Sequence, residues 1–391
     1  MRQDGTTFGD DARREYEWAR LLLPLFLYKV YFLIFVYLAF QLLPSTFATE
    51  IYYDNFRWPP DDPPSWVSAY KTWDGNHYLY LSEMGYRPGA ISNAFYPLWP
   101  ICIRLGSWLF LGNYYVSALV LANLFSLAGW LLFHRFVRDY HSEKVADLAT
   151  LFLLAYPGAL FFTFPYSESL FFLLCITFFV ALYRRHYLFA SLVSFLLPLT
   201  RVIGVFISVP FFYDIYQSWK ERNKVQLCDL VYLVAPLLGM LTHFVIMYIS
   251  TGNPLEGMNA QMYYVSQRSA SNLLDIPAFV RSFFDVKLWH GFLDSPFDRL
   301  CFLILALFLV KMWKMDRQYV LFSLFLGIVS GMAGTLMSFT RYLAIVFPLF
   351  IAVADVLSKE RWKGLRWLAL AVLFSLQLVF LIRHINNYWV G

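Results

Sequence analysis

Charge is what this chain has least of. Only 15% of its 391 residues are Asp, Glu, Lys or Arg, where a soluble domain carries about a quarter. A fold wetted on all sides is therefore excluded. Cysteine is scarcer still, with Cys102, Cys175, Cys228 and Cys301 each in or beside an apolar run. Their spacing supports neither a disulfide framework nor a zinc site, and they read as small packing residues. There is also no clear internal repeat, no low-complexity segment and no basic stripe for nucleic acid. What fills the chain is apolar: 59% hydrophobic residues, with 40 Phe, 27 Tyr and 13 Trp. Aromatics gather at membrane interfaces. The chain reads as one all-α polytopic membrane domain over residues 1–391.

A bilayer span takes about 20 mostly apolar residues. Such runs lie near 21–43, 114–134, 146–164, 168–183, 229–250, 299–313, 318–338, 341–357 and 367–383. The first 20 residues are polar and the run after them is long, so that run is expected to stay as an anchor rather than be cleaved. The piece 187–213 departs from the pattern, because Pro198, Thr200, Arg201 and Gly204 sit at its centre between two basic flanks. It is expected to form a re-entrant helix pair with Arg201 near the turn. Such backbone is tolerated at membrane depth only where it faces protein or a wet cavity. Lys and Arg gather around 2–20, 135–144, 184–185, 220–224, 311–317 and 359–366. By the positive-inside rule that places the N-terminus on the cytoplasmic side. The loops 45–113 and 251–298 then share the outer face.

The first outer loop begins with a stiff stretch, Trp58-Pro59-Pro60-Asp61-Asp62-Pro63-Pro64, and continues into Trp73-Asp74-Gly75-Asn76-His77-Tyr78. A helix over 73–84, stopped at Gly85-Tyr86-Arg87-Pro88-Gly89, would set Asp74, His77 and Tyr78 on one face. The run 101–112 reads as interfacial. Three more polar clusters fall at the outer edge: Tyr166-Ser167-Glu168-Ser169, Thr200-Arg201 and Thr340-Arg341-Tyr342. A glutamate at position 168 is costly unless it meets a cavity or a partner. A carboxylate and two arginines are the parts needed to deprotonate a hydroxyl and grip a lipid phosphate. His77 could orient Asp74, touch a sugar hydroxyl or touch the phosphate, and the sequence does not choose. Plainer readings stand beside these. Asp74 suits a helix N-cap, Glu83 a solvated helix face, and Arg341 a snorkelling position. Asp74, Glu83 and Glu168 could assemble a divalent metal site, but their spacing does not demand one. No cofactor is required by the sequence.

The string W-D-x-x-H-Y at 73–78, followed by Gly85-Tyr86 and Ala94-Phe95-Tyr96-Pro97-Leu98, resembles the first outer-loop signature of the PIG-V mannosyltransferases and their prokaryotic relatives. Pro165-Tyr166-Ser167-Glu168-Ser169-Leu170-Phe171 is similar to that family's Y-S-E-S-L-F element. Thr200-Arg201 with Gly204 is similar to its T-R-S-N-G turn, with Val202-Ile203 replacing the S-N pair. The likeness runs to about residue 205 and thins beyond. It implies a GT-C type fold of about nine spans plus the re-entrant pair, with an outer first loop bearing interfacial helices. It further implies an inverting glycosyltransferase that moves mannose from a polyprenyl- or dolichyl-phosphate donor to a lipid-linked or glycan acceptor on the non-cytoplasmic face. The catalytic base would be Asp74. Tyr166, Glu168, His77, Arg201 and Arg341 would bind substrate. The expected partners are that donor, the acceptor and membrane lipids, with a partner subunit left open.

Two other classes compete. Broken helices with a mid-membrane arginine also describe a transporter or flippase of a lipid-linked or anionic substrate. A non-catalytic lipid-binding subunit would need the arginines but not Asp74. Against the carrier, the charged clusters gather on one face, and the two halves show no matched pair of interrupted helices. The loop 251–298, with Asn253, Gln261, Tyr263, Tyr264 and Gln267, is expected to help form the acceptor side.

Overall fold

The computed structural model describes residues 8–43, 46–224, 226–264, 270–288, 291, 293–334 and 336–390. The start of the 2–20 basic flank and Gln267 lie outside the described residues. Among those described, the secondary structure is all helical. The chain runs through α1 (Phe8–Leu42), α2 (Thr49–Asp54), α3 (Asp74–Met84), α4 (Leu98–Ser107), α5 (Tyr114–Tyr140) and α6 (Glu143–Ala155). It continues with α7 (Glu168–Tyr183), α8 (Tyr187–Thr200), α9 (Ser208–Arg222), α10 (Leu227–Thr251), α11 (Glu256–Ala260) and α12 (Ile276–Phe284). Last come α13 (Asp294–Met315), α14 (Arg317–Ser323), α15 (Ser330–Met332), α16 (Phe339–Leu343), α17 (Phe347–Leu357) and α18 (Lys363–Ile385).

Four helical stretches are long and apolar enough to cross a bilayer: Arg20–Leu42, Tyr114–Tyr140, Leu227–Thr251 and Glu360–Ile385. Their outward faces carry exposed Leu27, Leu124, Leu237, Leu241 and Leu368, an apolar surface suited to lipid and not to water. Several expected spans differ in detail. The run 146–164 is helical only to Ala155, because Pro157 pushes Tyr156 into an extended conformation and the chain proceeds as 3₁₀ turns over Pro157–Phe162. The run 318–338 is α14, a π-helical stretch over Leu324–Val329 and α15. The run 341–357 divides into α16 and α17, with Pro348 in the first turn of the second.

The helix pair at 187–213 forms as expected. Helix α8 ends at Thr200, Arg201 is extended, and a 3₁₀ turn over Val202–Ile207 leads into α9. Tyr187 donates to Asp214 Oδ2 at 2.9 Å and Arg185 pairs with Glu221 at 2.6 Å. The start of α8 and the end of α9 therefore meet, and the hairpin returns to the side it left. Gly204 makes the turn possible, since a Cβ there would lie 2.3 Å from the Leu197 carbonyl carbon.

Four of the basic segments are drawn to neighbouring helix ends by ion pairs. Arg20 pairs with Glu143 at 2.8 Å, Lys144 with Glu360 at 2.8 Å and Lys311 with Asp355 at 2.5 Å. The 45–113 loop, the Tyr166–Glu168 segment, the α8 turn and α16 meet at another place through Asp74, Glu168, Arg201 and Arg341, beside a buried cluster that includes Tyr70, Phe161, Phe164 and Tyr166.

Candidate functional site

Asp74 is the first residue of α3. The residue before it, Trp73, makes no side-chain cap bond, and Asp74 faces outward from the helix end to receive Arg341 Nη1 at 2.5 Å. The capping role that its position allowed gives way to an ion pair spanning 267 residues of sequence. Arg341 Nε meets Glu168 Oε1, and the same oxygen accepts from Arg201 Nη1 at 2.6 Å. Arg201 Nη1 also donates to Ser167 Oγ at 3.1 Å, and Tyr78 donates to that hydroxyl at 2.8 Å. The result is one line of alternating charge, Asp74–Arg341–Glu168–Arg201. Two carboxylates balance two guanidinium groups, so the line is neutral and can be buried.

Exposure is uneven along it. The Glu168 side chain is 0% exposed and that of Arg341 4%, whereas Arg201 keeps 11% and Asp74 17%. The two ends of the line are open and its middle is shut. Among the described residues Asp74 Oδ1 has no protein partner, and Arg201 makes its side-chain hydrogen bonds through Nη1 alone.

The enclosing parts are aromatic and backbone. Tyr166, 1% exposed, lies under the Arg341 guanidinium at 4.5 Å and donates to the Thr72 carbonyl at 3.0 Å. Phe161 faces the same guanidinium at 5.0 Å, and Tyr342 faces that of Arg201 at 4.9 Å. Helix α16 is fixed just before Arg341. Asp298 Oδ1 accepts from the Thr340 backbone N–H at 2.6 Å and from its hydroxyl at 2.5 Å, and Tyr156 donates to the Thr340 carbonyl at 2.9 Å. Gly158 lies so close that a Cβ there would sit 2.4 Å from the Thr340 oxygen. Asp298 and Tyr156 were not among the expected site residues. The available signal for Asp298 was a carboxylate at the mouth of an apolar run.

Of the residues expected to meet substrate, His77 is placed differently from the rest. Its ring stacks between Phe56 at 4.3 Å and Phe95 at 4.8 Å. Nδ1 meets Ser92 Oγ at 2.9 Å and Nε2 meets the Tyr264 hydroxyl at 3.4 Å. So α3 presents Asp74 and Tyr78 to the charge line while His77 turns to an aromatic slot. Burial pushes the imidazole down to about 4, against a smaller upward pull from Asp74. An unfolded imidazole takes its proton near 6.5, so the folded state binds fewer protons between those values. The stability His77 contributes is complete above pH 6.5 and is lost as pH falls toward about 4. Thermal unfolding of His77→Phe is expected to show a flatter fall across that window than the parent. An unchanged slope would show that other groups set it.

Tyr264 ties the 251–298 loop to the 45–113 loop: it donates to the Ile91 carbonyl at 3.1 Å, Gln261 donates to that of Ala94 at 3.0 Å, and Glu256 accepts from the Gly89 N–H at 2.7 Å. Glu83 is held by Trp58 Nε1 at 2.7 Å, away from Asp74 and Glu168. Among the described residues no three His, Cys, Asp or Glu side chains are grouped to hold a metal ion.

No protein-family model and no curated protein matches the chain. It is similar to three crystal structures of the Archaeoglobus fulgidus oligosaccharyltransferase. The complex with zinc and sulfate is 13% identical, with a TM-score of 0.43 over 92% of this chain and 53% of that one. The apo form is 12% identical, at 0.43 over 93% and 56%. The form tethered to an acceptor peptide is 10% identical, at 0.45 over 93% and 55%. The chain spans about half the length of these structures.

Proposed function

We propose that this chain is a membrane-embedded inverting glycosyltransferase of GT-C type. It moves mannose from a polyprenyl-phosphate donor to a hydroxyl acceptor at the outer face of the membrane. The observation that carries the reading is the neutral line Asp74–Arg341–Glu168–Arg201, shut in its middle and open at a carboxylate and at a guanidinium.

The chemistry follows from those two ends. Asp74 takes the proton of the acceptor hydroxyl as its oxygen attacks the anomeric carbon. The bond from that carbon to the phosphate oxygen breaks, and the lipid phosphate leaves with the bonding pair. Arg201, with donors left over beyond Glu168 and Ser167, meets the charge that grows on the phosphate and so favours the transition state over the ground state. Arg341 is enclosed by two carboxylates and two rings, so its part is to aim Asp74 and to hold Glu168. Tyr166 and Glu168 support the arginines, and His77 anchors the loop.

The reading is tested by incubating membranes containing the chain with labelled polyprenyl-phosphate mannose and a mixed glycolipid acceptor pool. Transfer of label above control membranes supports it. Movement of the intact donor across the bilayer without transfer would favour a flippase. The Arg201 assignment is tested separately. Arg201→Lys keeps the charge but loses the fork, and is expected to lower kcat by roughly tenfold, the scale of one charge-assisted hydrogen bond made in the transition state. An unchanged kcat would remove Arg201 from the phosphate.

A further inference from the structure

The residue just before Asp74 is strained. Trp73 has φ 48° and ψ −119°, in the positive-φ region that bulky side chains avoid. Such a conformation persists only where its surroundings over-determine it. Here the surroundings come from the other end of the chain. The chain leaving α18 turns back at Asn387, itself at φ 62°, and the Asn386 carbonyl accepts from the Ala48 N–H at 3.0 Å. Val390, 2% exposed, enters the cluster formed with Phe32, Tyr70 and Phe161. Between these anchors Trp389 sets its ring edge-on to Trp73, with centroids 4.8 Å apart at 88°. One residue upstream, Thr72 is gripped twice: its hydroxyl meets His384 Nε2 at 2.7 Å, and its carbonyl accepts from Tyr166 at 3.0 Å.

We infer that the end of α18 and the segment after it clamp the backbone that carries Asp74, and that Trp389 is a positioning residue of the transfer step. Trp389 sets its ring against Trp73, and the two line one small cavity with Tyr166, His384 and Arg341. Trp389 acts through Trp73, whose conformation fixes where α3 begins and hence where the Asp74 carboxylate points. The kinetic consequence rests on the function proposed above; the clamp itself does not.

The test uses the full-length chain with Trp389→Ala and Trp389→Phe. Hydrogen exchange is read over residues 72–76, where the Gly75 and Asn76 N–H groups donate to Thr72 and Trp73 carbonyls at 3.0 and 3.1 Å. Trp389→Ala is expected to speed exchange there by about tenfold while the spanning helices stay protected. In the transfer assay its kcat falls by about 10- to 100-fold, the scale of an ångström-sized misplacement, with the donor KM held within about twofold. Trp389→Phe, which keeps an aromatic edge against Trp73, restores both readouts. Unchanged exchange over 72–76 overturns the clamp. Faster exchange with an unchanged kcat overturns the positioning role, as does a kcat loss that Phe fails to rescue. Absence of transfer by the parent would count against the proposed function instead, and the exchange result would still decide the clamp.

Discussion

Asp74→Asn is expected to cut sugar transfer by about 10²–10⁴-fold and to leave the chain folded. Asparagine keeps the shape of the side chain and an oxygen that Arg341 can still donate to, so the contact now seen at 2.5 Å survives in kind. What the amide cannot do is accept the proton of an attacking hydroxyl. A positioned general base contributes about 10²–10⁴-fold, and the loss should fall in that range. The fold should tolerate the change for two reasons. Asp74 is the more open member of its ion pair, with 17% of its side chain exposed against 4% for Arg341. Arg341 also retains Glu168 and the faces of Tyr166 and Phe161. The check is the transfer rate beside the unfolding midpoint of the same preparation. A variant with normal turnover would remove the base. A variant that unfolds early would show that the pair is structural.

Glu168→Gln is expected to damage the fold itself. Glu168 is wholly buried and receives both arginines on one oxygen. Removing one member of a buried ionic set leaves its partners charged without compensation and costs about 3–5 kcal/mol. Here the amide would leave Arg201 without a carboxylate and Arg341 with Asp74 alone. The unfolding midpoint should drop well below that of Asp74→Asn. Removing Arg201 as well restores the balance of sign, so Glu168→Gln with Arg201→Gln should lose less stability than the two single losses added together. That non-additivity is the signature of a coupled pair. Additive losses would mean that Glu168 and Arg201 do not act on each other.

Much of the architecture was legible because single residues broke a pattern. The helix pair around Arg201 announced itself through Pro198 and Gly204 inside an otherwise apolar run. Helix α3 and its stop at Gly85 followed from local rules alone. The division of 146–164 was hidden, since Leu160, Phe161 and Phe162 are as apolar in 3₁₀ turns as in a helix. Pro157 was its one visible sign. In the site, Asp74, Glu168, Arg201 and Arg341 stood out as charges in an apolar chain. Their order in space did not, because it joins residues 33 to 267 positions apart. Nothing in the local spacing shows that Arg341 lies between two carboxylates and Arg201 beside one. The surroundings of His77 were hidden for a related reason. Its position at i+3 from Asp74 puts it near the same helix face, but Phe56 and Phe95 supply a slot that draws the ring aside.

The central claim is a single displacement at a sugar's anomeric carbon, assisted by Asp74. Its most direct test is the anomeric configuration of the product made by the purified chain from labelled polyprenyl-phosphate mannose, determined for the parent with Asp74→Asn run alongside. The account predicts a product of inverted configuration from the parent and about 10²–10⁴-fold less of it from the variant. A product that retains the donor's configuration, or equal product from both proteins, would contradict it.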